Sequence, residues 1–216
     1  MRIVIDARRP APEASSMARE PKNFEHLLGG NAKGLTDAQL RAHFTLYQGY
    51  VKKLNEIRDK LAKVDRGAPN YSFNEYSELK RREAVAFNGS YLHEIYFENL
   101  TGGGSAPSDA LKAAAVASFG SWENYVKDCR MAGTSTPGWV LTTHNRVDGK
   151  LHNYIAFEHH LNIPIHQDIV MALDCWEHAF MIDFGIKKAD YFDAFFKNCD
   201  WAMVSKRLEK YGKYTR

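Results

Sequence analysis

The sequence predicts an α+β protein in which an N-terminal antiparallel helical hairpin is followed by an α/β module with a three-stranded antiparallel sheet. Three observations favour this class. Apolar residues recur at three- and four-residue steps along two long stretches before residue 100. A glycine-rich segment, TGGGSAPSD, then interrupts the pattern. Beyond it, helical patterns alternate with β-branched and aromatic runs.

The two arms of the predicted hairpin are separated by the helix-breaking phrase RGAPN. The first arm is GLTDAQLRAHFTLYQGYVKKLNEIRDKLAKV, where Thr36 or Asp37 offers an N-cap. The second arm is EYSELKRREAVAFNGSYLHEIYFENL. Each arm carries an apolar stripe, so we expect the two helices to pack together.

The second half is predicted to begin with ALKAAAVASFGSWENYVKDCRMAG, a helical stretch divided near Gly120. In GWVLTTHNRVDGKLHNYIAFEH, the Asp148-Gly149 pair predicts a two-residue β-hairpin. DIVMALD is the third strand and ends at Asp174. KKADYFDAFFKNCDWAMVSKRLEKY forms an amphipathic C-terminal helical region.

Three segments follow from this organisation: a disordered leader at 1–22, a helical hairpin domain at 23–103 and an α/β domain at 108–216. The leader has arginines and prolines after its short apolar start, the reverse of a secretory signal, so we expect a cytoplasmic protein. No apolar run approaches the ~20 residues that cross a bilayer, which predicts no membrane partner.

Charge and cysteine content exclude other classes. The net charge is +3, from 29 basic and 26 acidic residues, which is too balanced for a dedicated nucleic-acid binder. The three cysteines are far apart and form no CxxC pair. They therefore predict neither a zinc ribbon nor a disulfide scaffold, and they fit a reducing compartment.

The histidines fall into two groups. His43 and His93 lie on the apolar faces of the two hairpin helices, where a histidine is more often a hydrogen-bonded core residue than a ligand. Two such histidines on helices that pack together favour a ligand role for both. The others in polar or loop-like surroundings are predicted to lie at the surface, namely His26, His144, His152 and His166.

The phrase DCWEH places Asp174, Glu177 and His178 within apolar sequence. Buried ionisable groups cost several kcal/mol each unless they are paired or bound to a metal. Adding Asp174 and His178 to the two hairpin histidines gives three imidazoles and one carboxylate with no thiolate. This set suits iron or manganese, although zinc would also accept it.

LDCWEHAFMIDFG resembles the signature of the iron/manganese superoxide dismutases. Four other segments resemble further motifs of that family, namely HFTLYQGYVKKLN, ASFGSWENYVKD, GWVL and DYFDAFFKNCDWAMVSKRL. The resemblance runs in the same order from about residue 35 to 210, and the first 22 residues have no counterpart.

The resemblance implies roles for individual residues. The metal ligands would be His43, His93, Asp174 and His178. Tyr50 would be the gateway tyrosine, whose hydroxyl hydrogen-bonds solvent at the substrate funnel. Glu177 would cross a dimer interface to the second subunit's copy of the His178 ligand, and Trp139 and Trp176 would be aromatic walls of the metal pocket.

The sequence also departs from the family pattern. Members commonly have a histidine and a tyrosine, bonded across the dimer, where this chain has Leu46 and Met181. The glutamine that tunes the metal-bound solvent is absent from its iron-type position, which is Gly89. At the manganese-type position, alignment places His159, or His160 if one residue is inserted.

The resemblance implies disproportionation of superoxide to dioxygen and hydrogen peroxide by a homodimer, or a tetramer, with one iron or manganese ion per subunit. The missing manganese-type glutamine favours iron. Basic residues would steer the substrate anion, and the candidates are Lys52, Lys53 and Lys188. Two alternatives remain open: a metal-dependent hydrolase with the same ligands, and a metal-binding dimer of the same fold that has lost turnover.

Overall fold

The computed structural model describes residues 18–212, in which α1 (Asp37–Lys63) and α2 (Glu75–Glu98) form the predicted hairpin. The two helices are antiparallel, because residues further along α1 contact residues earlier in α2: Tyr47 contacts Glu94, and Tyr50 packs on Gly89. The start of α1 is fixed by Thr36, whose side chain accepts a hydrogen bond from the Gln39 N–H at 3.2 Å. The helical class and its antiparallel arrangement are therefore as predicted.

The hairpin buries one continuous apolar face. On α1 this face recurs at three- and four-residue steps and consists of Leu40, Phe44, Tyr47, Val51 and Leu54. Near the end that carries His43, aromatic rings of α1 pack around Phe97 of α2. Toward the loop end, Ile57 and Leu61 form a second, smaller cluster with Ala86 of α2.

Two short helices follow the linker, α3 (Asp109–Phe119) and α4 (Trp122–Thr134). They are divided at Gly120, which has a φ of +84°, a left-handed conformation that glycine adopts at little cost. Ser121 then caps α4 by accepting from the Asn124 N–H at 3.0 Å. The predicted division near Gly120 is confirmed.

The sheet is antiparallel with strand order β2-β1-β3, made of β1 (Trp139–Asn145), β2 (Leu151–Ala156) and β3 (Gln167–Asp174). The central strand β1 is buried from Trp139 to His144. Its first residue, Trp139, pairs with Asp174 at the end of β3. This register brings an aromatic side chain to the strand end where the sequence predicted a metal ligand.

Two predictions about β1 are wrong. The β1–β2 connection spans residues 146–150, and the hydrogen bond from the Asn145 N–H to the Lys150 carbonyl at 2.9 Å encloses a turn of four residues instead of two. The side chain of Asn145 organises this turn by accepting from the Val147 N–H at 2.7 Å. His144, predicted at the surface, is only 4% exposed, because it lies in the central strand between two paired neighbours.

The C-terminal region contains a 3-10 turn (Glu177–Ala179), then α5 (Met181–Phe184), α6 (Lys188–Asn198) and α7 (Trp201–Gly212). The break between the last two helices is held by Asn99, the residue that follows α2, whose carbonyl accepts from the Asp200 N–H at 2.6 Å. Among residues 18–212, no helix combines the length and the apolar character that a membrane crossing requires.

Most of the predicted leader, residues 1–17, lies outside the described residues. Its last part contacts the hairpin. The guanidinium of Arg19 pairs with the buried carboxylate of Glu94, and the Lys22 N–H donates to the Tyr47 hydroxyl at 2.8 Å. We call residues 18–22 the N-terminal strap.

Candidate metal centre

Four predicted ligands converge between the hairpin and the sheet: His43 from α1, His93 from α2, Asp174 at the end of β3 and His178 in the 3-10 turn. One ligand atom of each lies within 4.8 Å of the others. The first three residues are fully buried, and His178 has 28% of its side chain exposed. Residues more than 130 positions apart in the chain are thus brought to one point.

The distances fit a single metal ion. Asp174 Oδ2 lies 3.1 Å from Nε2 of His43 and 3.1 Å from Nε2 of His178, and it is 3.6 Å from Nε2 of His93. Two atoms that are each ~2.1 Å from one ion lie ~3.0 Å apart at a right angle and ~3.6 Å apart at ~120°. The four atoms could therefore hold one ion with nitrogen and oxygen ligands.

The protonation states also suit metal binding, because ligands must be neutral imidazoles and an ionised carboxylate. Burial lowers the pKa of His43, and it lowers the pKa of His93 well below the ordinary value. Burial alone would raise the pKa of Asp174, but the neighbouring imidazoles of His178 and His43 outweigh it and lower that pKa. His93 also donates its Nδ1–H to the Gly89 carbonyl at 2.5 Å, which leaves its Nε2 lone pair for the site.

Beside the ligands, Trp139, His159 and Tyr50 form a hydrogen-bonded chain. The Trp139 indole N–H donates to Nδ1 of His159 at 2.9 Å, and Nε2 of His159 lies 2.6 Å from the Tyr50 hydroxyl. Burial lowers the pKa of His159 to about 4, so the ring is neutral at physiological pH. His159 is buried and faces the site, whereas His160 is exposed.

The remaining predicted residues lie around this group. Trp139 meets His93 edge to face, with ring centroids 5.1 Å apart, and Trp176 stacks nearly parallel to His178 at 6.3 Å. Glu177 is exposed on the outer side of the turn. Leu46 is half-buried on α1, and Met181 is exposed beside Glu177.

The three candidate steering lysines occupy different places. Lys53 lines a groove of about 430 Å³ between α1 and α2, together with Tyr50 and Arg82. Lys188 borders a second pocket beside Glu177, and its ammonium donates to the Thr136 carbonyl at 2.6 Å. Lys52 is exposed on α1.

Sequence reasoning missed three residues that contact the centre, namely Gln39, Tyr191 and Asn88. Gln39 and Tyr191 bond the main chain of ligands, at the carbonyls of His178 and Asp174 respectively. Asn88 donates to the His159 carbonyl at 2.7 Å. Gly89, already named as the iron-type glutamine position, also packs under the Tyr50 ring. Only Gln39 carried a usable signal, since a polar residue four positions before His43 shares its helix face.

Comparisons with known proteins agree with this geometry. Residues 107–207 match the model of the C-terminal domain of iron/manganese superoxide dismutases. The chain is 36% identical over 196 residues to superoxide dismutase [Fe] of Aquifex pyrophilus, covering 88% of this chain and 91% of that protein. It is 38% identical over 180 residues to superoxide dismutase [Fe] of Cupriavidus metallidurans, covering 81% and 89%. It is 31% identical over 171 residues to superoxide dismutase [Mn] of Haloarcula marismortui, covering 78% and 82%.

Proposed function

The chain belongs to the iron/manganese superoxide dismutase family of oxidoreductases, and we propose on this premise that it converts superoxide to dioxygen and hydrogen peroxide. The observation that supports the activity most directly is the convergence of three imidazoles and one carboxylate on one point. We propose that His43, His93, Asp174 and His178 are the ligands of a single ion. Bound there, iron or manganese would supply one-electron chemistry, alternately accepting an electron from superoxide and returning one.

The protein's own contribution is control of protons and access. Hydrogen peroxide formation consumes two protons, so a proton must be held next to the reacting anion. Trp139 occupies Nδ1 of His159, so the neutral ring carries its proton on Nε2 and donates it to the Tyr50 oxygen. Burial and the charge of Asp174 raise the pKa of Tyr50, which keeps the phenol protonated. The Tyr50 hydroxyl proton is therefore available to substrate or solvent beside the proposed ligands.

Three further properties belong to the proposal. We infer iron as the working metal, because the manganese-type glutamine is replaced by His159 and the relatives from Aquifex pyrophilus and Cupriavidus metallidurans are named iron enzymes. We infer a homodimer that closes over Glu177. We infer a cytoplasmic location, supported by free thiols at Cys129, Cys175 and Cys199.

The deciding experiment is elemental analysis and a superoxide-dismutation assay on the same purified sample, with a His178→Ala variant beside it. We expect about one iron or manganese ion per chain and activity proportional to that metal. His178→Ala should lose both, because it removes one of four ligand atoms. The matched control is His152→Ala, since His152 is a half-exposed histidine that pairs with Asp148.

Three results would each contradict a part of the proposal. A fully metallated sample without activity would indicate a protein that keeps the fold and the site for another purpose. Stoichiometric zinc with hydrolase activity would replace dismutation by a different chemistry. Full metal content in His178→Ala would remove His178 from the ligand set while leaving the family assignment intact.

A further inference from the structure

Gln39 is a buried amide on α1, with 1% of its surface exposed. Its Nε2 group donates a hydrogen bond to the main-chain carbonyl of His178 at 2.6 Å. Its Oε1 atom accepts one from the main-chain N–H of Ile182 at 3.0 Å. One side chain thus spans the turn that carries His178, from the 3-10 turn to the first turn of α5.

Only an amide satisfies both main-chain groups. The Ile182 N–H lies in the first turn of a helix, where N–H groups have no acceptor within the helix, and the N-cap residue Phe180 supplies no side-chain acceptor. A glutamine side chain offers both a donor and an acceptor. A carboxylate offers only acceptors, and a thioether offers no donor. The residue type at position 39 is therefore matched to the two groups that it bonds.

The same helix carries His43, one turn beyond Gln39 on the same face. Helix α1 thus presents one proposed ligand directly and holds the main chain of a second through the amide. A parallel contact reinforces the link: Thr36 of the α1 cap donates from its N–H and its hydroxyl to the Asp183 carboxylate, at 2.7 and 2.5 Å. His178 is the least buried of the four ligands, so packing restrains it least and its main chain matters most.

We propose that Gln39 is a positioning residue for the metal centre. By fixing the main chain at His178 relative to α1, it sets the separation at which the imidazoles of His43 and His178 meet one ion. The inference rests on the proposed metal site and adds a residue that contacts no metal and no substrate. Gln39 would affect the geometry of the proposed ligands, which can be measured without an assay of enzymatic turnover.

The test uses the full-length protein with two variants, Gln39→Met and Gln39→Glu. Gln39→Met keeps the volume but removes both hydrogen bonds, and Gln39→Glu keeps the acceptor for Ile182 but loses the donor for His178. Each protein is loaded with the ion found in the unsubstituted chain. The readouts are the electron paramagnetic resonance spectrum and the metal dissociation constant from chelator competition. We expect altered zero-field splitting and a dissociation constant raised about 10- to 100-fold, the usual effect of losing a group that orients a ligand.

Asn198→Leu is the matched control. Asn198 is also a buried amide that bonds a main-chain N–H and a carbonyl, both on Lys33, each at 2.7 Å. Its side chain also accepts from the Gly103 N–H and donates to the Ala194 carbonyl, and none of these hydrogen bonds involves a proposed metal ligand. We expect Asn198→Leu to lower the melting temperature of the metal-free protein while leaving the spectrum and the metal affinity unchanged.

A Gln39→Met protein that melts lower but keeps the unsubstituted spectrum and metal affinity would overturn the inference, because Gln39 would then be only structural. Should Gln39→Met fail to fold, Gln39→Glu decides on the same two readouts. The proposed function is tested separately. An unsubstituted protein that binds neither iron nor manganese would contradict both the proposed function and the positioning role of Gln39. If the unsubstituted protein binds the metal and the Gln39 variants show the same spectrum and metal affinity, only the positioning role of Gln39 is contradicted.

Discussion

At the scale of single residues, the direction of the hydrogen bonds at Tyr50 decides what the site can do with a proton. His159 has its Nδ1 occupied by the Trp139 indole, so its only proton lies on Nε2 and points at the Tyr50 oxygen. The phenol then accepts one hydrogen bond and keeps its own proton to give. A glutamine in place of His159 could rotate its amide, whereas the Trp139 contact fixes the donor atom of the imidazole.

We predict that Tyr50→Phe keeps the metal but reduces turnover. The substitution removes the hydroxyl that could donate a proton, and one such hydrogen bond is worth ~0.5–1.5 kcal/mol net. The expected loss is therefore about 2- to 10-fold in the dismutation rate per bound metal, measured at equal metal content. Tyr47→Phe is the control, since the Tyr47 hydroxyl bonds Glu94 at 2.6 Å and takes no part in the His159 chain. Equal rates per metal for Tyr50→Phe and the unsubstituted protein would show that the phenol has no part in turnover.

At the scale of elements, helix α1 orders several residues of the centre along one face. His43 lies four residues after Gln39, and Tyr50 lies seven after His43. Steps of four and seven return to the same side of an α-helix, so all three side chains lie on one face of α1. The opposite helix accommodates the ring: a Cβ on Gly89 of α2 would lie 2.7 Å from Tyr50 Cδ1. No side chain, glutamine included, fits at position 89 while Tyr50 stays where it is.

The N-terminal strap gives the hairpin a buried ion pair, and we predict that removing its cation destabilises the fold. Arg19 pairs with Glu94, whose side chain is only 3% exposed, next to the proposed ligand His93. Leaving a buried charge without its partner costs ~3–5 kcal/mol. We expect Arg19→Met to fall at the lower end of that range, because Lys22 Nζ still lies 3.3 Å from the carboxylate. The measurement is urea unfolding of the metal-free protein.

A double-mutant cycle with Glu94→Gln separates this pair from the general loss of packing. The double variant should be less destabilised than the sum of the two single variants, since the uncompensated charge is removed. Additive free energies of unfolding would show that Arg19 and Glu94 do not stabilise each other.

Interactions between neighbouring residues explain the features that were predicted correctly. Contacts between residues distant in the chain explain the features that were not. The Thr36 cap and the Gly120 break are set by neighbouring residues, so they could be read from the chain. The burial of His144 and the four-residue turn depend on both strand neighbours and on the Asn145 side chain. The bond between Gln39 and His178 joins residues 139 positions apart, and no periodicity encodes it. The ligand set was predicted from the resemblance to a family motif, because spacing alone left core histidines as the simpler interpretation.

At the scale of the whole molecule, the centre lies where the helical hairpin meets the C-terminal turn, close to the surface. His178 is partly exposed and Glu177 is exposed. Apolar side chains that are open to solvent follow directly in the chain: Met181, Ile182 and Ile186, the last 91% exposed. An exposed apolar group beside an exposed acid and an incompletely covered ligand is typical of a surface that another protein covers.

We therefore predict that Glu177→Ala weakens a homodimer whose two-fold axis passes close to this turn. In a symmetric dimer the pair between Glu177 and the partner's His178 occurs twice, so one substitution removes both copies. Truncating one member of a buried charged hydrogen bond costs ~2–5 kcal/mol, so the loss of two copies costs at least ~4 kcal/mol and raises the dimer dissociation constant at least about 700-fold. Sedimentation equilibrium over a dilution series measures the constant, and Glu123→Ala, an exposed glutamate on α4, is the control. Equal dissociation constants for Glu177→Ala and Glu123→Ala would place the dimer interface elsewhere. A monomer at every concentration would show that no homodimer forms and that only residues of its own chain cover His178.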